Sequence, residues 1–254
     1  MRARILFGLV GLGFSVLAGG SHAQMVHDGG PATEAAPFGS PVPDEHIWAH
    51  VILDQFEARL GAGQGSLRWD GEAWAGPDEW RVRLRSEGER TANGKVEDGQ
   101  TELLYSKPIV TFWDVQLGGR YDLDSGSGRG WVAAGIEGLA PGFFNVAATA
   151  YAGGQGRTAA KLKVSYDQLL TNRLILQPEA EVNLYGRNDP ARRIGSGVSD
   201  LDAGLRLRYE IARKFAPYVG VSWARKFGST ADMARKASEA SDDVRLAVGL
   251  RTWF

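Results

Sequence analysis

Val244-Arg245-Leu246-Ala247-Val248-Gly249-Leu250-Arg251-Thr252-Trp253-Phe254 is the stretch on which the fold turns. Val244, Leu246, Val248, Leu250 and Phe254 take alternate positions, with Arg245, Ala247, Gly249, Arg251 and Trp253 between them. A period of two puts the first set on one face of a strand and the second on the other. One strand of a soluble sheet shows the same alternation, so the surrounding chain has to decide.

The alternation recurs upstream. Trp80, Val82 and Leu84 alternate with Arg81, Arg83 and Arg85; Leu201, Ala203, Leu205, Leu207 and Tyr209 alternate with Asp200, Asp202, Arg206, Arg208 and Glu210. None of these segments has the 3.6-residue period of a helix. About twelve of them follow one another, each near the ~9–11 residues that a tilted membrane strand requires. They span 50–61, 66–75, 78–89, 96–107, 109–123, 128–140, 143–154, 157–169, 172–186, 198–212, 215–227 and 242–254.

The connections sort by parity. One set is short, as at Gly76-Pro77-Asp78, Lys107-Pro108 and Arg213-Lys214, and the other includes Glu89 to Gly99, Asp124 to Arg129, Arg187 to Ser199 and Gly228 to Ser241. Short turns on one rim and longer loops on the other are the asymmetry of outer-membrane barrels, which a soluble sandwich has no reason to show. The expected fold is all-β: a transmembrane antiparallel outer-membrane β-barrel behind a disordered N-terminal arm. A hydrophobic share of 43% does not contradict this, because only alternate residues of such a barrel face lipid. The net charge of −1 offers nothing for nucleic acid, and the absence of cysteine excludes disulfides and thiolate metal sites.

The two ends agree with export to the outer membrane. Arg2 and Arg4 precede an apolar run from Ile5 to Ala18 and a Ser21-His22-Ala23 site, the signature of a secretory signal peptide over 1–23. Residues 24–46, rich in Gly, Pro, Ala and Ser, read as a disordered periplasmic arm, and 47–254 as the barrel. The terminal Phe254 resembles the C-terminal insertion signal of outer-membrane barrels, although Thr252 stands where a bulky apolar residue is usual. The last strand is expected to pair with the first, near His50, and so remove the sheet edge. Trp48, Trp69, Trp80, Trp113, Trp131, Trp223, Trp253 and Phe254 lie mostly near segment ends, where interfacial girdles form.

The inward face carries both signs of charge: Arg81, Arg83, Arg85, Asp114, Arg120, Asp122, Glu179, Glu181, Asp200, Asp202, Arg206, Arg208, Arg245 and Arg251. Two readings follow, ion pairs that fill the barrel or a polar passage for a small solute. No enzyme is expected, since the histidines after the signal peptide, His27, His46 and His50, all stand before or at the first strand. The candidate metal ligands are Met25, His27, His46, His50, Asp54 and Met233. In a helix His46 and His50 would share one ion. In a strand they lie ~13 Å apart, so the pair chelates one metal only if this segment is helical or folded back.

Asp54-Gln55-Phe56-Glu57-Ala58-Arg59, Phe112-Trp113-Asp114-Val115-Gln116-Leu117-Gly118-Gly119-Arg120-Tyr121-Asp122, Gly138-Leu139-Ala140-Pro141-Gly142-Phe143-Phe144, Arg206-Leu207-Arg208-Tyr209-Glu210-Ile211 and Phe215-Ala216-Pro217-Tyr218-Val219-Gly220-Val221 resemble the copper resistance protein B family. The resemblance runs from about Trp48 to Phe254. It implies an outer-membrane barrel in copper resistance that binds copper, as Cu(I) or Cu(II), or helps it across the outer membrane. Its expected partners are membrane lipid, copper and periplasmic copper-resistance proteins such as a multicopper oxidase. Family members commonly carry a Met- and His-rich arm; here the arm retains little beyond Met25, His27 and His46. The alternative is a general small-solute porin or structural barrel without metal selectivity. Mass measurement of the exported chain should show cleavage after Ala23 and a mature terminus at Gln24; an uncleaved chain would reassign residues 1–23.

Overall fold

The computed structural model describes residues 46–61, 65–123 and 128–254. The strands are β1 (Trp48–Leu60), β2 (Ser66–Gly76), β3 (Arg81–Thr91), β4 (Val96–Val110), β5 (Trp113–Asp122), β6 (Arg129–Ala140), β7 (Phe144–Gly153), β8 (Arg157–Ser165), β9 (Gln168–Leu169), β10 (Leu174–Tyr185), β11 (Gly197–Tyr209), β12 (Phe215–Lys226) and β13 (Asp242–Trp253). One helix, α1 (Gly228–Lys236), lies between β12 and β13. Because β8 and β9 both pair with β10 and are separated only by Tyr166 and Asp167, the thirteen segments make twelve staves.

Neighbouring staves pair antiparallel, and the sheet closes on itself. β13 pairs with β1 from Ile52↔Trp253 to Leu60↔Leu246, as the last stretch of sequence predicts. Phe254 extends the seam, donating its N–H to the Val51 carbonyl (2.8 Å) and accepting from the Val51 N–H (3.1 Å). Closure leaves no strand edge with unpaired N–H and C=O groups, the condition for crossing hydrocarbon with strands.

The wall is inverted relative to a soluble protein. Leu103, Leu117, Val132 and Val219 are more than half exposed on the outside, whereas Glu57, Arg206 and Arg208 are at most 2% exposed. Every charged residue expected on the inner face of β3 and β11 follows this alternation. β1 is the exception to a single phase. Its ladder with β2 steps from Leu53↔Gly71 to Gln55↔Asp70, leaving Asp54 as an extra residue. A bulge moves all later side chains to the opposite face. Thus Gln55, Glu57 and Arg59 turn inward and become buried, while Phe56 remains exposed.

Two expectations need correction. The stretch Glu89 to Gly99 is not a long loop: the β3–β4 ladder continues to Arg90↔Val96, and a turn closes with the Thr91 N–H on the Lys95 carbonyl (2.9 Å). Above the apolar belt both faces of a strand meet water, so polar sequence there does not mark a loop. Among the described residues the longer rim rests on 186–196 and 227–241, and the latter holds α1, whose Ala231 and Ala234 are buried; residues 124–127 of the expected Asp124 to Arg129 loop lie outside the described residues. The aromatic girdle is also thinner than expected. Trp131 is buried with its Nε1–H on Asp122 (2.9 Å), and Trp253 stacks inside the short-turn rim.

Removing Phe254 deletes the two backbone hydrogen bonds to Val51. The variant is expected to be exported normally yet yield less heat-resistant folded barrel in the outer membrane, read on unheated gels; parental yield would show that the seam does not need it.

Candidate functional site: the charged lumen and its short-turn mouth

Inward alternation on twelve staves concentrates charge in a narrow space, and the side chains resolve it by pairing across the lumen. At one wall Glu57 of β1 is the centre. Arg206 of β11 donates through Nε to Oε2 (2.8 Å) and through Nη2 to Oε1 (3.0 Å). Arg59 Nε donates to Oε1 (2.8 Å), and the Tyr218 hydroxyl to Oε2 (3.0 Å). Arg206 also reaches Gln55 Oε1 at 3.0 Å, and Arg59 reaches Asp202 at 2.9 Å. Two glycines make the space. A Cβ on Gly204 would sit 2.6 Å from Arg206 Nη1, and one on Gly249 would sit 2.7 Å from Glu57 Cβ.

On the facing wall Arg83 and Arg85 tie β3 to three other strands, β2, β5 and β6. Arg83 donates to Glu72 (3.0 Å) and Asp114 (3.1 Å), and Arg85 to Glu72 (2.5 Å), Gln116 (3.2 Å) and Glu137. A third set spans the barrel. Lys163 of β8 meets Asp70 of β2 at 2.5 Å, and Lys161 meets Glu87 of β3. β2 and β8 are diametrically opposed, with β3 to β7 between them one way and β10, β11, β12, β13 and β1 the other. The lysines are therefore crossbars.

The crossbars and the Glu57 cluster pack one side of the lumen. Along the other runs a cavity of about 500 Å³, lined from Phe112 and Leu139 at the short-turn rim to Glu87, Gln100 and Lys161 deep inside. Its wall mixes paired carboxylates and cations with apolar groups such as Ile52, Leu139 and Val146, so charge lines part of it and hydrocarbon the rest.

Of the sequence-derived ligands, His46, His50 and Asp54 lie on or just before β1. His50 stacks on Trp74 (5.8 Å between ring centroids) and lies tilted against Trp253 (5.6 Å). The outer faces of these indoles carry Arg81 (4.7 Å) and Lys214 (5.1 Å). His46 precedes β1 and packs edge-on against Trp48 at 4.4 Å. With the chain extended from Trp48, no helical turn brings His46 to His50. Asp54 lines the cavity, but its Oδ1 accepts from Arg251 Nε at 2.5 Å. Met233 lies on α1 at the opposite rim, and Met25 and His27 lie outside the described residues. Among the described residues no group of three His, Asp or Glu side chains stands ready for a metal.

Sequence reasoning missed Gln55, Glu57 and Arg59, because the bulge at Asp54 leaves no mark in composition. It also missed the role of Lys161 and Lys163: alternation places them inside, but which opposite strand they meet depends on closure.

The family model described as copper resistance protein B precursor (CopB) matches residues 47–254, the whole barrel. The chain belongs to the copper resistance protein B family. It is 48% identical to the copper resistance protein B homolog of Pseudomonas syringae pv. tomato over 216 residues, covering 85% of this chain and 73% of that protein. It is 42% identical to copper resistance protein B of Escherichia coli over 231 residues, covering 88% of this chain and 78% of that one. Among solved structures, the NanC porin superposes with a TM-score of 0.53 at 11% identity, covering 80% of this chain and 98% of the porin. That likeness establishes the outer-membrane barrel fold and nothing about cargo. The family places the chain in copper resistance.

Removing one member of a buried charge cluster leaves its partner uncompensated, at a cost of about 3–5 kcal/mol. Arg206→Met should therefore lower the urea midpoint of the folded barrel clearly, and Glu57→Gln/Arg206→Met together by less than either cost alone implies. Additive losses would show that the two residues do not act as a pair.

Proposed function

We propose that this barrel takes copper as cargo, binding the ion at its short-turn mouth and assisting its movement across the outer membrane through the lumen, without catalysing a reaction. The observation that carries the reading is the cavity that reaches this rim, lined by Ile52 and Asp54 of the strand that carries His50, in a chain of the copper resistance protein B family. In this reading the short-turn rim faces the periplasm, and the arm with Met25 and His27 extends from it. His46 and His50 are then successive single contacts and not one chelate. Imidazole serves copper in either oxidation state, and thioether favours Cu(I). Asp54 joins them only by exchanging Arg251 for the metal. A periplasmic copper-resistance protein, such as a multicopper oxidase, fits as the neighbour on this side.

A second reading, a structural or general small-solute barrel, draws support from the ion pairs that fill half of the lumen. Copper titration of the purified mature protein with Cu(I) and Cu(II), followed by heat or ligand-field spectra, separates the two. His46→Ala/His50→Ala should bind copper more weakly than the parent with its folded band intact. Undiminished binding in that variant would move the contacts to Met25, His27 or Met233, and a parent that binds no copper would favour the porin reading.

A further inference from the structure

The connection between β10 and β11 does not stay on its own side of the barrel. Residues 187–196 leave the wall at Gly186, whose N–H donates to the Thr158 carbonyl of β8 (2.8 Å). Arg192 then reaches Asp122 of β5 (3.3 Å), and Asp189 accepts from Arg129 of β6. Because β6, β7 and β8 stand between β5 and β10, these contacts run along a chord and not along the rim. On the other side Arg193 meets Glu239 in the α1–β13 connection, and the Gly195 N–H donates to the buried Thr230 hydroxyl of α1 (2.7 Å). The segment thus bridges the opening from β5 to α1.

The segment is a unit in itself. Asp189 and Ile194 exchange backbone hydrogen bonds (2.7 and 3.0 Å), and Asn188 Oδ1 accepts from the Ser196 N–H (2.7 Å). The contacts that fasten it to its neighbours are polar: the pairs above, and Arg187 on the Gln155 carbonyl (2.8 Å). Its one large apolar side chain, Ile194, is only half-buried. A segment with so few buried apolar contacts opens at far lower free energy than the staves. Its release also strands no carboxylate at the wall, since Asp122 keeps Arg120 Nε (2.7 Å) and Trp131 Nε1 (2.9 Å). Glycine stands at both ends. Gly197 has a φ of +87°, and a Cβ added there would meet nothing, so packing does not restrain its backbone. Hinges are a few such element-terminal residues that absorb a change in φ and ψ.

We propose that residues 187–196 are a strap that closes the extracellular mouth over the β5–β8 sector of the lumen, and that it swings out about Gly186 and Gly197 to open it. Short turns face the periplasm in barrels of this kind, so the strap lies at the outer rim. Below it Tyr151, whose hydroxyl donates to Glu102 (2.6 Å), and Lys161 line the deep end of the cavity. The strap therefore stands between that cavity and the outside, at the end opposite His50. The device goes beyond the copper reading and does not depend on it, because it would admit or exclude any small solute.

The test is thiol labelling of the full chain in the outer membrane of intact cells. The chain has no cysteine, so Ala159→Cys supplies the only thiol. Ala159 pairs with Tyr185 on β10 and packs against the cluster of Trp131 and Tyr151, between the root of the strap and its latches. The probe is a sulfonated fluorescent maleimide, added outside, that crosses neither lipid nor general porins. In the otherwise parental chain it should react slowly but to completion. With Asp189→Asn/Arg192→Gln/Arg193→Gln added, it should react several-fold faster; none of the three lies on a stave, so the folded band should persist. Gly195→Val is a second release variant, because a Cβ there would sit 2.5 Å from the Thr230 backbone nitrogen and push the strap off α1. It decides if the triple variant does not assemble. Equal rates in the parent and an assembled release variant, fast or nil, overturn the closure. A parent that never reacts while a release variant does overturns the swing and leaves a fixed plug.

Discussion

In hydrocarbon no water is present to satisfy a backbone N–H or C=O, and everything else in this structure follows from that constraint. Twelve staves meet it by closing on themselves, with β13 on β1 as the seam. Once closed, the sheet has one face toward lipid and one toward a narrow interior. The lipid face takes the apolar half of each alternation. The interior takes the other half, charge included, because a closed wall offers the polar residues nowhere else to go.

The interior charge must then be neutralised locally. Glu57 does this with four donors from three side chains, and Arg83 and Arg85 with Glu72, Asp114 and Glu137. Such pairs are poor sources of net stability, since desolvation offsets much of their attraction. They are effective at fixing geometry, because a mispaired register would strand an ion. The Lys163–Asp70 contact between opposed staves also restricts the bore, dividing the lumen into a packed side and a cavity. A wide water-filled pore is therefore not what twelve staves produce here.

The mouth follows another logic. The stack of Arg81, Trp74, His50, Trp253 and Lys214 joins β1, β2, β3, β13 and the β11–β12 turn by ring faces. Each cation over an indole gains from the ring's negative face. The arrangement flanks the His50 ring with indoles on two neighbouring strands, contacts that the sequence alone does not reveal.

What the sequence determined by itself was the phase of strands such as β3, β11 and β13, the strand number, the pairing of last with first, and the charged character of the inner face. These are local properties: a period of two is legible residue by residue, and Arg81, Arg83 and Arg85 betray their face without reference to any partner. The family strings, such as Phe112 to Asp122, were legible for the same reason. Only the tertiary structure decided which charge meets which, since Lys161 and Glu87 are 74 positions apart and meet because closure sets their staves across the lumen. It also decided the phase shift at Asp54, where one extra residue turns Glu57 inward, and the short turn at 92–95, where polar residues continue a ladder beyond the membrane. A bulge or a cross-lumen contact depends on the register of another strand, and that information is not carried by either segment alone.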